Sequence, residues 1–214
     1  TCAVGGEAVG IAAAGAAKLG MTPREYGRIH MKELRQELLK NDLYIIGCRN
    51  EDEKDLARTA AVSASSEKTG YEAYQVVSGV TRRECGDSNM WSSDGMSPHG
   101  ESLKLKLHSP SEIREVRLVL DPNLSEERCI SVSKAFLEKE PLGVAEELLK
   151  DYTVRFLMDG KMAAAIEIHD NYQRLNCIVL QESVLADTVE IHIRDTNGCP
   201  DAHIYEVRIY GDLG

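Results

Sequence analysis

The chain has 214 residues, a formal net charge of −10 and six cysteines. This acidic balance repels phosphate backbones and anionic lipid, so neither nucleic acid nor a membrane is an expected partner. No stretch approaches the roughly 20 apolar residues of a membrane span. No C-x-x-C pair or close Cys/His cluster with zinc spacing occurs, so no metal site is predicted. Disulfides are permitted, but free thiols in a reducing compartment are the simpler interpretation, which favours a cytoplasmic location.

The first 50 residues have a helical composition, rich in alanine, leucine, lysine and glutamate. Residues 7–19 predict an alanine-rich helix that ends at Gly20. Residues 22–25 read TPRE and predict the start of a second helix, with Thr22 as the capping residue and Glu25 three positions later. Its buried face is expected to carry four residues that recur at helical spacing: Met31, Leu34, Leu38 and Leu39. The chain begins without methionine, so the true N-terminus is expected to lie upstream.

A charged segment at residues 50–55 separates this helical part, residues 1–50, from a second part at residues 56–214. Its polarity predicts an exposed connection between two domains. The acidic residues Glu51, Asp52, Glu53 and Asp55 are interpreted as a solvated linker and not as a pair of catalytic carboxylates.

The second part shows the two-residue alternation of strands, as in Leu103, Leu105 and Leu107 between lysines. Asp159-Gly160 and Asn197-Gly198 predict tight turns between strands. Leu175, Cys177 and Val179 predict a strand whose inward face includes Cys177 as a small core residue. A helical insertion is predicted over residues 134–150, with an apolar face formed by Ala135, Phe136, Leu142, Ala145, Leu148 and Leu149. The fold class is therefore mainly β: an antiparallel jelly-roll-type β-sandwich preceded by a short α-helical segment.

Residues 6–14 read GEAVGIAAA and resemble the last flavin-binding helix of a family of FAD-dependent oxidoreductases, and the similarity extends over residues 2 to about 50. In that family the helix N-terminus points at the flavin, where free N–H groups favour a pyrophosphate or an electron-rich ring. The resemblance implies four cofactor-binding residues in the parent protein: Gly6, Glu7, Ala8 and Gly10. Gly6 and Gly10 equally permit helix–helix packing. The G-x-G-x-x-G phosphate motif is absent, so the chain alone is not expected to bind FAD, and a missing N-terminal flavin domain is the expected partner.

From about residue 56 the chain resembles a galactose-binding-like, or discoidin-like, domain, a module that is appended to the same flavoproteins. The stretches that carry this resemblance are residues 60–66 (AAVSASS), 90–95 (MWSSDG), 171–175 (NYQRL) and 196–210. Many such domains hold a structural calcium ion with an acidic residue in an early loop. Ser78 replaces that acid here, although Glu206 remains, so no occupied calcium site is expected.

The sequence leaves three functions open. The first is the C-terminal part of an FAD-dependent oxidoreductase, with the sandwich as a non-catalytic accessory or docking module. The second is a carbohydrate-binding module, in which Trp91 and Tyr172 would stack on a sugar and Arg174 would donate hydrogen bonds to it. The third is a structural or protein-interaction domain with no small ligand. The same side chains also suit packing, for the two aromatics, and an ion pair, for Arg174. No catalytic residue is predicted, because neither His169 nor His192 accompanies a recognisable nucleophile motif.

Overall fold

The computed structural model describes residues 2–126, 133–138 and 143–211. Three helices begin the chain: α1 (Cys2–Leu19), α2 (Pro23–Ile29) and α3 (Met31–Lys40). The capping box predicted at Thr22 and Glu25 is present, with the Glu25 amide donating to the Thr22 hydroxyl. Gly20 ends α1 with φ of 65°, a conformation that costs glycine little. The predicted second helix is divided in two at His30, whose φ of −110° and ψ of 27° are not helical.

The three helices pack around a small cluster that includes Ala16, Tyr26, Leu34 and Leu38. A side-chain carbon added to Gly15 would lie 2.5 Å from the Tyr26 ring, so glycine lets α1 and α2 approach this closely. Met31, expected on the buried face, is instead 40% exposed. The turn at His30 removes Met31 from the continuous helical face on which that prediction depended.

All strand pairs in the described chain are antiparallel. Short 3-10 turns lie at Leu56–Thr59 and Ala73–Val77, and a short helix, α4, at Lys134–Leu137. The strands are β1 (Ala61–Ala64), β2 (Trp91–Ser92), β3 (Glu101–Leu120), β4 (Leu149–Met158), β5 (Lys161–Ile168), β6 (Leu175–Thr196) and β7 (His203–Gly211).

The two long strands, β3 and β6, run through both layers of the fold. The first half of β3 pairs with β1 and the second half of β6, whereas its second half pairs with β7 and the first half of β6. The register shifts between Lys106 and Ser111, a β-bulge that bends the paired strands. β4 and β5 extend the first layer, and β2 extends the second. The result is an antiparallel β-sandwich, which confirms the predicted fold class.

One hydrophobic cluster fills the space between the layers. Its first-layer members include Leu103, Leu105, Phe156 and Ile191, and its second-layer members include Val116, Leu118, Ile178 and Val207. The predicted Asp159-Gly160 turn is confirmed, since both residues have positive φ, 50° and 74°. Asn197-Gly198 instead begins a longer loop, because β7 starts only at His203.

Two sequence predictions about this part are wrong. Cys177 and Val179 are exposed, and the buried residues of this strand are Ile178 and Leu180. A shift of one residue moves every side chain of a strand to the opposite face, and Cys177 pairs with Arg117 on the outer face. Among the described residues of the predicted helical insertion, only α4 is helical; Ala135 is exposed there, and Leu149 already belongs to β4. Leu142 lies outside the described residues.

The helical segment is joined to the outer face of the second layer by guanidinium groups. Arg208 donates to the carbonyl of Leu39 at 3.0 Å, and Arg117 donates to the carbonyl of Lys40 at 2.8 Å. These carbonyls belong to the last turn of α3, which carries partial negative charge, and the Leu39 carbonyl also accepts the Asp42 amide at 3.1 Å. The two arginines therefore cap α3 from the sheet.

The connection at residues 50–55 is predicted to be exposed, but the structure buries part of it. Asn50 and Asp55 are each only 4% exposed. Asp55 accepts hydrogen bonds from the Asn50 amide and from the backbone of Ala57 and Ile209. Burial raises the pKa of Asp55, and these hydrogen bonds oppose the rise. Asp55 is thus a structural residue that fastens the connection to β7.

Candidate functional site

The loops at one end of the sandwich bring together side chains from distant parts of the sequence. We distinguish two adjoining groups. The histidine cluster consists of Lys68, Asp121, Cys199, Asp201 and His203. The aromatic pocket is lined by Gly70, Tyr71 and residues 83–88, and has a volume of about 370 Å³. The positive charge of Arg83, which lines the pocket, helps to lower the pKa of Asp121 in the histidine cluster.

In the histidine cluster, Asp121 fixes the ring of His203. Asp121 follows the last residue of β3, and His203 is the first residue of β7. Oδ2 of Asp121 lies 3.1 Å from Nδ1 of His203, while Oδ1 accepts the amide of Asn123. Burial works to raise the pKa of Asp121, but the hydrogen bonds from His203 and Asn123 outweigh it, so the pKa is lowered. An ionised Asp121 thus orients the imidazole.

The other half of the histidine cluster is built around Asp201. Its carboxylate accepts one hydrogen bond from the ammonium of Lys68 and another, at 3.0 Å, from the amide of Gly95. Burial would raise the pKa of Asp201, yet these two hydrogen bonds lower it. Cys199 lies beside this pair, and burial raises the pKa of its thiol.

The aromatic pocket combines a half-buried ring with charged side chains, of which Arg83 and Asp87 are exposed, while Glu84 is half-buried and accepts a hydrogen bond from the Tyr44 hydroxyl at 3.0 Å. The guanidinium of Arg83 lies 5.7 Å from the centroid of the Tyr71 ring, a cation–π distance. Glu84 and Asp87 line the same pocket. An aromatic face suits the C–H surface of a sugar ring, and charged groups make the stronger hydrogen bonds to hydroxyls.

Trp91, predicted as a sugar-stacking residue, lies in the core. It is 0% exposed, and its Nε1 donates to the carbonyl of Ser66 at 3.0 Å. A ring without exposed surface offers no face to a ligand, so the platform role is corrected to a packing role. Trp91 holds β2 against the loop that follows β1.

Arg174, predicted to bind ligand, instead joins the helical segment to the sandwich. Its side chain contacts Asp42 through two nitrogens, at 2.5 and 3.0 Å, and donates to the carbonyls of Leu120 and Thr81. These contacts use the N–H groups of Arg174, so the side chain has a structural role and is not placed to bind a ligand. Tyr172 is 67% exposed in the loop after β5 and remains free to contact a ligand.

The flavin prediction for Gly6, Glu7, Ala8 and Gly10 stays a prediction. Gly6, Glu7 and Gly10 are exposed, Ala8 is half-buried against the helical cluster, and a side-chain carbon at either glycine would meet nothing within 4 Å.

By length and composition alone α1 would suffice to cross a membrane, with a mean hydropathy of 1.3 over 18 residues. The prediction that the chain has no stretch as long and apolar as a membrane span is therefore wrong for α1. Core helices and signal sequences share these properties, so a membrane location does not follow.

The two residues that the resemblance to discoidin-like domains relates to a calcium ion do not fit a calcium site. The Glu206 side chain is 2% exposed and accepts Nε of Arg208 at 2.7 Å. The guanidinium therefore supplies a positive charge beside this carboxylate, and Ser78 adds none of the carboxylate charge that calcium favours.

Several solved structures with a similar fold are sugar-binding modules. The chain superimposes with a TM-score of 0.56 on the lectin domain of lectinolysin complexed with Lewis b, at 16% identity over 76% of this chain and 99% of the other. A family 32 carbohydrate-binding module of C. perfringens NanJ, in complex with galactose, gives 0.52 at 15% identity, over 73% and 98%. One from Streptococcus pneumoniae EndoD gives 0.55 at 17% identity, over 74% and 99%. The sandwich has the galactose-binding-like fold.

At these identities the likeness establishes the fold of the sandwich and leaves its ligand open. No protein-family model matches the chain, and no curated protein matches it. Neither the aromatic pocket nor the histidine cluster is predicted from the sequence. C-x-D-x-H at residues 199–203 was the available signal for the cluster, but it matches none of the usual zinc spacings.

Proposed function

We propose that this chain is a carbohydrate-binding module whose ligand site is the aromatic pocket at the loop end. The observation that carries the proposal is the pairing of a half-buried Tyr71 ring with the exposed Arg83 guanidinium in a pocket flanked by carboxylates. The fold it shares with modules complexed with galactose and Lewis b supports this function.

The size and charge of the pocket favour a small, neutral sugar. Its volume of about 370 Å³ is near the lower limit for ligand pockets, about 300–1,000 Å³. The chain carries a net charge of −10, which disfavours acidic glycans. We expect Tyr71 to stack on the apolar face of the ring, Arg83 to donate to its hydroxyls, and Glu84 and Asp87 to accept from them.

A screen of immobilised neutral glycans, followed by calorimetric titration of the sugars that bind, tests the proposal. Arg83→Ala should weaken binding about tenfold or more, because hydrogen bonds from a charged donor contribute about 1.5–3 kcal/mol. Tyr71→Leu should weaken it as well, while keeping an apolar side chain against the neighbouring core. Arg24→Ala is the matched control, since it removes an equally exposed arginine from α2.

Two results would reject the proposal. One is that the folded chain binds none of the neutral glycans tested. The other is sugar binding that Arg83→Ala and Tyr71→Leu leave unchanged, which would place the ligand elsewhere, with the exposed Tyr172 as the next residue to substitute.

The accessory-module hypothesis has one supporting observation. Along α1 only Ala16 is buried, while Val4, Val9 and Leu19 are 50%, 69% and 55% exposed. A flavin domain packed on this helix would cover those side chains. We infer that the two functions are compatible, because the aromatic pocket and α1 use different residues. Limited proteolysis of the full chain tests this hypothesis: an unprotected α1 should be cut first, and resistance of α1 in the isolated chain would contradict it.

A further inference from the structure

Three side chains of the histidine cluster present different metal-binding atoms to one point. Across the described residues, Cys199, Asp201 and His203 form the group of three such side chains whose ligand atoms all lie within 4.8 Å of one another. They alternate along the chain, so the backbone of one short loop and the start of β7 places all three on the same side. We propose that Cys199, Asp201 and His203 bind a divalent transition-metal ion, with Zn²⁺ as the ion that best suits the donors.

The loop is held in place by hydrogen bonds that do not use the ligand atoms. The backbone of Cys199 is held on both sides: its amide donates to the Glu146 carbonyl at 3.0 Å, and its carbonyl accepts from the Thr196 hydroxyl at 2.5 Å. The buried Ala202 forms two hydrogen bonds with Ser93: its amide donates to the Ser93 hydroxyl at 2.8 Å, and its carbonyl accepts from the Ser93 amide at 3.0 Å. A metal ion would therefore meet ligands that are already arranged, as a stable site requires.

His203 has the arrangement that metal-ligating histidines usually show. Its Nδ1 lies 3.1 Å from the carboxylate of Asp121, whose side chain is 5% exposed. With the proton on Nδ1, the lone pair of Nε2 is free for a metal. Asp121 thus acts as a positioning residue behind the ligand.

The donor set distinguishes among metals. A thiolate, an imidazole and a carboxylate suit Zn²⁺, whereas calcium and magnesium prefer oxygen alone. Three protein ligands leave a fourth tetrahedral position for water. Lys68 is the natural competitor, because its ammonium contacts the Asp201 carboxylate and its side chain is 40% exposed. A metal ion would replace that ammonium and displace it into solvent.

Titration of the full chain with Co²⁺, a spectroscopic substitute for Zn²⁺, tests the site. We expect one equivalent to bind with a thiolate-to-cobalt charge-transfer band and the visible bands of a tetrahedral complex, and Zn²⁺ to displace it. Cys199→Ser should abolish the charge-transfer band, whereas Cys177→Ser, which removes an exposed thiol from β6, should retain it. Asp121→Asn should weaken binding about 10–100-fold. Lys68→Gln should strengthen binding, a result that a purely structural salt bridge would not give.

Circular dichroism establishes that each variant is folded, and Cys199→Ala replaces Cys199→Ser if the latter is not. The assignment is overturned if the wild-type chain shows no saturable Co²⁺ or Zn²⁺ binding, if the complex lacks the charge-transfer band, or if Cys199→Ser retains it. Sugar binding uses Tyr71 and Arg83, so the glycan experiment and the metal experiment fail independently.

Discussion

Removal of Arg208 should destabilise the fold in a way that depends on pH. Arg208 and Glu206 form an ion pair at 2.7 Å beneath α3, and each side chain is 2% exposed. The proposed change is Arg208→Met, which retains an apolar side chain of similar length. It leaves the carboxylate of Glu206 buried and without its cation, and it removes one donor from the last turn of α3.

The expected magnitude follows from the burial of the pair. Breaking a buried ion pair by removing one partner costs about 3–5 kcal/mol. Burial raises the pKa of Glu206 from 4.5 to about 7, although Arg208 opposes the rise. That difference corresponds to about 3 kcal/mol of free energy. Because the folded-state pKa is the higher one, this contribution to stability is present below pH 4.5 and is lost as the pH rises to about 7.

Without Arg208 the pKa of Glu206 should rise further, because Arg208 supplies both interactions that lower it: its charge and its hydrogen bond. The loss in Arg208→Met should then be larger at about pH 8.5 than at about pH 5.5, where Glu206 can be protonated in the folded chain. Urea unfolding at both pH values measures the free energy of unfolding. The double variant Glu206→Gln/Arg208→Met, which removes both charges, should recover much of the loss at the higher pH.

Two results would refute this reasoning. Equal losses in Arg208→Met at both pH values would mean that Glu206 does not become protonated in the folded state. A double variant as unstable at the higher pH as Arg208→Met would mean that the lost contacts of the Arg208 side chain, such as its hydrogen bond to the Leu39 carbonyl, and not an unpaired charge, determine the cost.

Two further substitutions test the attachment of the helices and one backbone contact. Arg174→Gln should loosen residues 1–50 from the sandwich, because it breaks the double contact to Asp42; faster proteolysis within that segment is the readout, and rates equal to wild type would contradict it. Gly100→Ala should lower the melting temperature more than Gly95→Ala. Both glycines have positive φ, 80° and 86°, but only at Gly100 would the added carbon lie 2.3 Å from the Ile193 carbonyl oxygen. The Gly95 change should cost about 1 kcal/mol, and similar losses at both positions would show that the contact does not matter.

The strands that were predicted correctly are those with one apolar and one polar face. Leu103, Leu105 and Leu107 alternate with lysines, and such a pattern allows one orientation only. The first half of β6 carries apolar residues on both faces, so alternation could not determine which face is buried. Cys177 was therefore placed inside, where Ile178 in fact lies.

The functional residues were harder to predict because their partners are distant in sequence. A single tryptophan suits a core and a binding platform equally, and Trp91 proved to be core. Asp121 and His203 are 82 positions apart, and only the pairing of β3 with β7 brings them together. Asp55 looked like part of a solvated acidic run because its hydrogen-bonding partner on β7 follows it by 154 residues.

The capping of α3 by Arg117 and Arg208 bears on how this module is inherited. A change in composition near residue 55 suggests a seam at which a sandwich could be cut out and joined to another protein. A sandwich that began at this boundary would lack α3, and the guanidinium groups of Arg117 and Arg208 would lose the α3 carbonyls to which they donate. A sandwich transferred together with α3 would keep both of these hydrogen bonds.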